Sequence, residues 1–171
     1  MKFFSILALS SSILLAACAQ QSADLRVGPD GRPLPQIYRI SEDQAANIPY
    51  RMLDSVNALR QAQGGAPLQL DAQLNAAAAT HSRDMSAQNR PWHFGSDGSS
   101  PLDRVRRAGY AGTLVGELIS ETFETELETL SAWMAEPDTR AVLMDPAARN
   151  MGFAWFQEPN GKIWWTLITG A

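Results

Sequence analysis

The sequence predicts an α+β domain, an antiparallel sheet with helices packed on it. Two observations carry this. Segments with apolar residues at helical spacing come first, and two apolar runs joined by Glu158-Pro159-Asn160-Gly161 come last. Asn-Gly between apolar runs is a hairpin signal, because both residues tolerate the positive φ that the tight turn needs. A parallel doubly wound sheet would alternate strands and helices throughout instead.

The elements follow in order. Tyr50 to Gln63 is a helix, with Met52, Val56 and Leu59 at i, i+4 and i+7 on one face. Gly64-Gly65 ends it. Asp71 caps a second helix that runs to about Gln88, with Leu74, Ala78, His81 and Met85 as its apolar stripe. Ser100-Pro101 opens a short helix, Leu102 to Ala108, and Gly109 stops it. Leu114 to Ser120 reads as a strand. Phe123 to Met134 reads as a helix with Phe123, Leu127, Leu130 and Met134 inward and Glu121, Glu124 and Glu128 on the wet side. Met151 to Phe156 and Ile163 to Thr169 are the hairpin strands. Side chains alternate along a strand, so Trp164 and Trp165 face opposite sides. Either helices cover both faces, or one tryptophan marks an exposed binding surface.

The chain has 171 residues, 45% hydrophobic and 19% charged, enough for a real core. A net charge of −4 argues against a nucleic-acid partner, since phosphate binding needs a basic patch. Met1-Lys2 gives a short positive start, and Phe3 to Leu15 is an apolar run. That run is too short to span a bilayer, so residues 1–17 read as a secretory signal. Leu15-Ala16-Ala17-Cys18 resembles the bacterial lipobox. The resemblance implies cleavage before Cys18, acylation of its thiol, and a membrane partner through that anchor. Ala19 follows the cysteine where an aspartate would signal inner-membrane retention, so the expected location is the outer membrane. The alternative is a plain signal with an incidental cysteine. Cys18 is the single cysteine, which leaves the domain without a disulfide or a thiol nucleophile. Residues 18–48 form the lipidated cysteine and a tether, punctuated by Gly28, Gly31, Pro33 and Pro35. A flexible linker of ~30 residues reaches about 30 Å end to end. Ile37, Tyr38 and Ile40 could form a short strand or a docking stretch within it. Residues 49–171 are the folded domain.

Several stretches, in this order and spacing, resemble the CAP superfamily of cysteine-rich secretory, antigen 5 and pathogenesis-related proteins, in its bacterial branch. They are HSRDM at 81–85, HFGSDGSSPLDRVRRAGY at 93–110, GE at 116–117, WMAEP at 133–137, NMGFAW at 150–155 and WWTLITG at 164–170. The resemblance implies an α/β/α sandwich around a central antiparallel sheet. It also implies a cleft lined by two histidines and one or two glutamates, which in some members hold a metal such as zinc. By that match, His93 is the first histidine, Glu117 the first glutamate and Glu136 the second. Thr139 stands where the second histidine would be, and Leu118 replaces an asparagine. Zinc sites use three protein ligands for chemistry and four for structure. His93, Glu117 and Glu136 would make at most a weak set, so zinc is disfavoured though open.

Each candidate has two readings. His93 is a cleft base or ligand oriented by Glu117, or it holds the turn. His81, on an apolar stripe, reads as a core-edge histidine with one satisfied nitrogen. Glu117 lies in an apolar strand, where a carboxylate needs a partner, so it faces the cleft or an arginine. Glu136 precedes Pro137 at a helix end, in the cleft or in solvent. Asp97, Ser99 and Ser100 read as turn and cap chemistry, because no G-x-S-x-G elbow surrounds them. Arg104, Arg106 and Arg107 read as a solvated helix face. The function this supports is an envelope-anchored binding module for an apolar lipid or an envelope protein, with a degenerate cleft. The alternative is a hydrolase using His93 and Glu117, with or without a metal, on peptide or cell-wall material.

Overall fold

The first helix starts before the tyrosine that the apolar spacing suggests. α1 spans Glu42–Ala62, so residues 42–48, expected in the tether, are helical. Ser41 caps it: the Ser41 hydroxyl accepts from Gln44 N, and the Gln44 side chain accepts from Ser41 N. Pro49 sits inside the helix and lacks the N–H for its fourth-preceding carbonyl. Burial of Ile48, Met52 and Val56 on one face outweighs that loss. The computed structural model describes residues 29–32, 37–121 and 123–171. The signal segment, Cys18 and most of the tether lie outside the described residues. Ile37–Ala171 form one unit and Met1–Gln36 another. In the latter, Arg32 N donates to Asp30 Oδ1 in a turn.

The remaining elements are β1 (Gln69–Leu70), α2 (Ala72–Gln88), α3 (Pro101–Arg107), β2 (Leu114–Ser120), α4 (Glu126–Ala135), α5 (Pro137–Met144), β3 (Asn150–Gln157) and β4 (Ile163–Gly170). The strands form one sheet in the order β1-β3-β4-β2. The β2–β4 and β3–β4 pairs are antiparallel, but the two-residue β1 joins β3 parallel, so the sheet is mixed at one edge. The hairpin forms as expected, with Glu158 N donating to Lys162 O and Gly161 at φ 100. Residues 37–40 form no strand; they dock on that hairpin. Gln157 Nε2 donates to Tyr38 O, and Ile40 N donates to Gln157 Oε1.

Strand alternation sorts the core into two layers. Met151, Phe153, Trp165 and Leu167 turn toward α1, α4 and α5. Ala154 and Ile168 turn toward α2 and α3. The result is the expected three-layer sandwich, and it buries both Trp164 and Trp165 completely. The hairpin therefore presents no exposed tryptophan. α4 differs from expectation. It starts at Glu126 behind a Thr125–Glu128 capping box, which rotates Glu126, Thr129, Leu130 and Trp133 inward. Leu127, expected inside, is exposed, while Glu126 is buried and accepts from Arg51 Nε at 2.6 Å.

Candidate functional site

The site lies where α2, α3, β2 and the loop between Asn89 and Ser100 meet. Gly116 faces α5, because a Cβ there would stand 2.6 Å from Val142 Cγ1. Glu117, the next residue on β2, therefore points to the other side, where α2 and α3 lie. The carboxylate is buried and fully engaged. Arg104 Nη2 donates to Glu117 Oε1 at 2.9 Å and Oε2 at 2.7 Å. His93 Nδ1 lies 2.9 Å from Oε1. His81 Nε2 lies 3.6 Å from the same oxygen.

Arg104 is the hub. It projects from a short helix that begins with Pro101 at the first position and Ser100 as its cap. Its Nη1 donates to Ser99 O and its Nη2 to His93 O, so one guanidinium ties both ends of the loop to Glu117. Arg104 is only 5% exposed, which corrects its reading as part of a solvated helix face. The physical reason is the unpaired charge of Glu117, which draws the planar fork inward. Arg107 does stay at the surface, where Nη1 donates to Asp97 Oδ2. The sequence signal that could have found Arg104 was Glu117 itself, since a buried carboxylate demands a cation.

Asp84 anchors the loop from the α2 side. It accepts from Ser96 N at 2.7 Å and Ser96 Oγ at 2.6 Å. Asp97 Oδ1 accepts from Ser99 N, which closes an Asx turn. These bonds to Ser99, together with Arg107, hold the Asp97 carboxyl well below the usual range. A Cβ at Gly95 would stand 2.6 Å from Ser99 Oγ and 2.7 Å from Asp97 Oδ1, so a side chain there would displace the groups that close the turn. The serines and Asp97 thus do turn and cap work, as the sequence reading holds.

His81 is wholly buried on α2. Its Nε2 pairs with Trp92 O at 2.9 Å, and its Nδ1 has no hydrogen-bond partner among the described residues. Burial pushes its pKa down, against the opposing pull of Glu117. His93 is half exposed, and its neighbours Trp92 and Phe94 form an aromatic rim, ring centres 5.7 Å apart. Arg90 covers the Trp92 ring at 3.7 Å.

The structure joins His93 to Glu117 but does not bring Glu136 or Thr139 to them. Glu136 is an exposed cap of α5, and Thr139 Oγ1 donates to Trp133 O at 2.5 Å. α5 packs on the Gly116 side of the strand, away from the Glu117 carboxylate. Among the described residues, no group of three His, Cys, Asp or Glu is arranged to hold a metal. The donor set does not fit the zinc that the superfamily implies. Both Glu117 oxygens are occupied, and Thr139 offers a hydroxyl already spent on a carbonyl.

Beyond Arg104 lies an open cavity of about 420 Å³ between α2, α3 and the loop. Ala76, Ala77 and Ala108 line it with methyl groups, and the rest of the lining is polar or charged, Asp84, Asp97 and Arg107 among it. Arg104 lines the cavity and also holds Glu117.

Residues 53–168 match the model of the CAP, cysteine-rich secretory protein family, and the chain belongs to that family. The chain is 31% identical over 120 residues to YkwD of Bacillus subtilis, covering 70% of this chain and 46% of that protein. It thus spans less than half the length of that relative. Among solved structures, it resembles an outer surface protein of Borrelia burgdorferi, with TM-score 0.67, 17% identity, and 79% of this chain and 98% of that one covered. An extracellular SCP-domain protein of Bacillus anthracis gives TM-score 0.66 and 20% identity over 77% of this chain and 44% of that one. At these identities the structural matches speak to the fold. No helix among the described residues is long and apolar enough to cross a membrane.

Proposed function

We propose that this CAP domain is an exported, lipid-anchored binding module that holds a small apolar ligand at the cell envelope. The cavity beside Arg104 carries the reading: its volume of about 420 Å³ suits a small molecule. Ala76, Ala77 and Ala108 suit a small apolar body, and the polar and charged residues that make up the rest of the lining suit a ligand that also carries polar groups. The lipobox-like Cys18 supports the anchor, and the similar structures named as extracellular or outer surface proteins support the export. The outer membrane is the proposed site, because Ala19 follows the cysteine.

Two variants test it. Ala76 is exposed at the cavity wall, so Ala76→Trp fills the space without disturbing the core. Organic extracts of wild-type protein purified from envelopes should contain a lipid that extracts of Ala76→Trp lack. Equal or empty extracts would remove the ligand. Cys18→Ser should move the protein from the membrane fraction to the soluble one.

A hydrolase on peptide or cell-wall material is the second reading. One observation favours it: Glu117 bonds Nδ1 of a half-exposed His93, an arrangement that can orient a general base. Turnover of such a substrate that disappears in both His93→Ala and Glu117→Gln would establish it. Turnover that survives both would separate these residues from the chemistry.

A further inference from the structure

We propose that Arg104 is the resident cation of this cleft, that it closes Glu117 to divalent metal, and that His81 is the latent third ligand. The superfamily cleft draws attention to residue 139 as the missing donor. The geometry here points to a different obstacle. A guanidinium already bonds both oxygens of Glu117, at 2.9 and 2.7 Å. A divalent ion would have to displace that fork, or share the carboxylate with a positive charge a few ångströms away. The fork is hard to displace, because the same guanidinium also holds Ser99 O and His93 O from a position 5% exposed.

Behind the fork stand two imidazoles, not one. His93 Nδ1 lies 2.9 Å and His81 Nε2 lies 3.6 Å from Glu117 Oε1. Donors about 2.1 Å from a tetrahedral ion stand roughly 3.4 Å apart. Both imidazoles thus stand near that spacing from the carboxylate, and with Arg104 gone a small shift of the two rings would complete a two-histidine, one-carboxylate set that the present arrangement does not form. His81 can act in this way only if its Nε2 leaves Trp92 O. Residue 139 contributes to no such set, because α5 packs on the opposite side of β2. The proposal stands whatever ligand the neighbouring cavity takes.

Cobalt and zinc titrations of the purified protein test this, with visible absorption of tetrahedral cobalt as the direct signature. Wild type should give no such bands and only weak zinc affinity. Arg104→Ala should gain the bands and bind zinc at least tenfold more tightly, and His81→Ala in that background should remove the gain. A role for Arg104 in stability alone would not create metal binding. Thr139→His, at a half-buried position, should gain nothing. Arg104→Gln keeps a donor for the loop carbonyls and replaces Arg104→Ala should that variant not fold. Stoichiometric metal in the wild type, a tight site created by Thr139→His alone, or no gain in either folded Arg104 variant would each overturn the proposal.

Discussion

Arg104 and Glu117 meet at 2.7 Å with side chains 5% and 2% exposed, and everything else in the site is arranged around that pair. A buried ion pair gives little net stability over an apolar pair, but losing one partner strands a charge. Arg104→Ala should therefore lower the unfolding free energy by about 3–5 kcal/mol. Arg104→Lys should recover only part of it, since an ammonium cannot serve Ser99 O, His93 O and Glu117 with one planar fork. Urea denaturation checks both. A loss within 1 kcal/mol of zero for Arg104→Ala would mean that the pair is not buried in solution as described.

His81 gives the site a pH dependence. Burial lowers its pKa in the folded protein. Below pH ~6.5 the unfolded chain takes up a proton there that the folded chain resists. Its contribution is thus complete above pH ~6.5 and is lost as pH falls through that value toward the lower folded one. The unfolding free energy of wild type should fall between pH 7 and 5, and that of His81→Gln should fall less. Parallel pH profiles would show that His81 is not held neutral.

Gly152 is where α2 touches the sheet. A Cβ there would stand 2.2 Å from the Leu74 carbonyl carbon and 2.3 Å from Asn75 N, both backbone atoms that cannot swing away. Gly152→Ala must push α2 off β3, at a cost of about 1–3 kcal/mol or more. Because α2 carries His81 and Asp84, the loop should loosen as well, read as faster amide exchange at Ser96.

On the other face, Phe153 stacks on Trp165 with ring centres 5.6 Å apart and planes 2° from parallel. Phe153→Ala should cost about 3–5 kcal/mol. Thermal melts followed by tryptophan fluorescence would show it, while zinc and ligand behaviour at the distant cleft should stay unchanged.

Much of the fold could be read from the sequence, and the misses have physical causes. The β2 strand, the Asp71 cap and the Asn-Gly hairpin rest on local rules, and local rules found them. The apolar spacing of Met52, Val56 and Leu59 marks only the later part of α1, whereas an earlier capping box at Ser41 and buried Ile48 carry the helix through Pro49. α4 was turned by about one residue, because Glu126 looks like a solvent residue until Arg51 appears beside it from a distant helix. The site shows the same limit. Glu117 announced that it needed a partner, but the sequence does not say which of three nearby arginines turns inward. The motif names His93, Glu117, Glu136 and Thr139 together; the structure pairs the first two, while Glu136 caps α5 and Thr139 bonds the Trp133 carbonyl.

Native mass spectrometry of the intact protein, purified in mild detergent without chelator, tests the central claim most directly. The account predicts a non-covalent small-molecule adduct, no bound metal, and loss of the adduct in Ala76→Trp. One metal per chain with no organic adduct, lost in His93→Ala, would contradict both the binding role and the place given to Arg104.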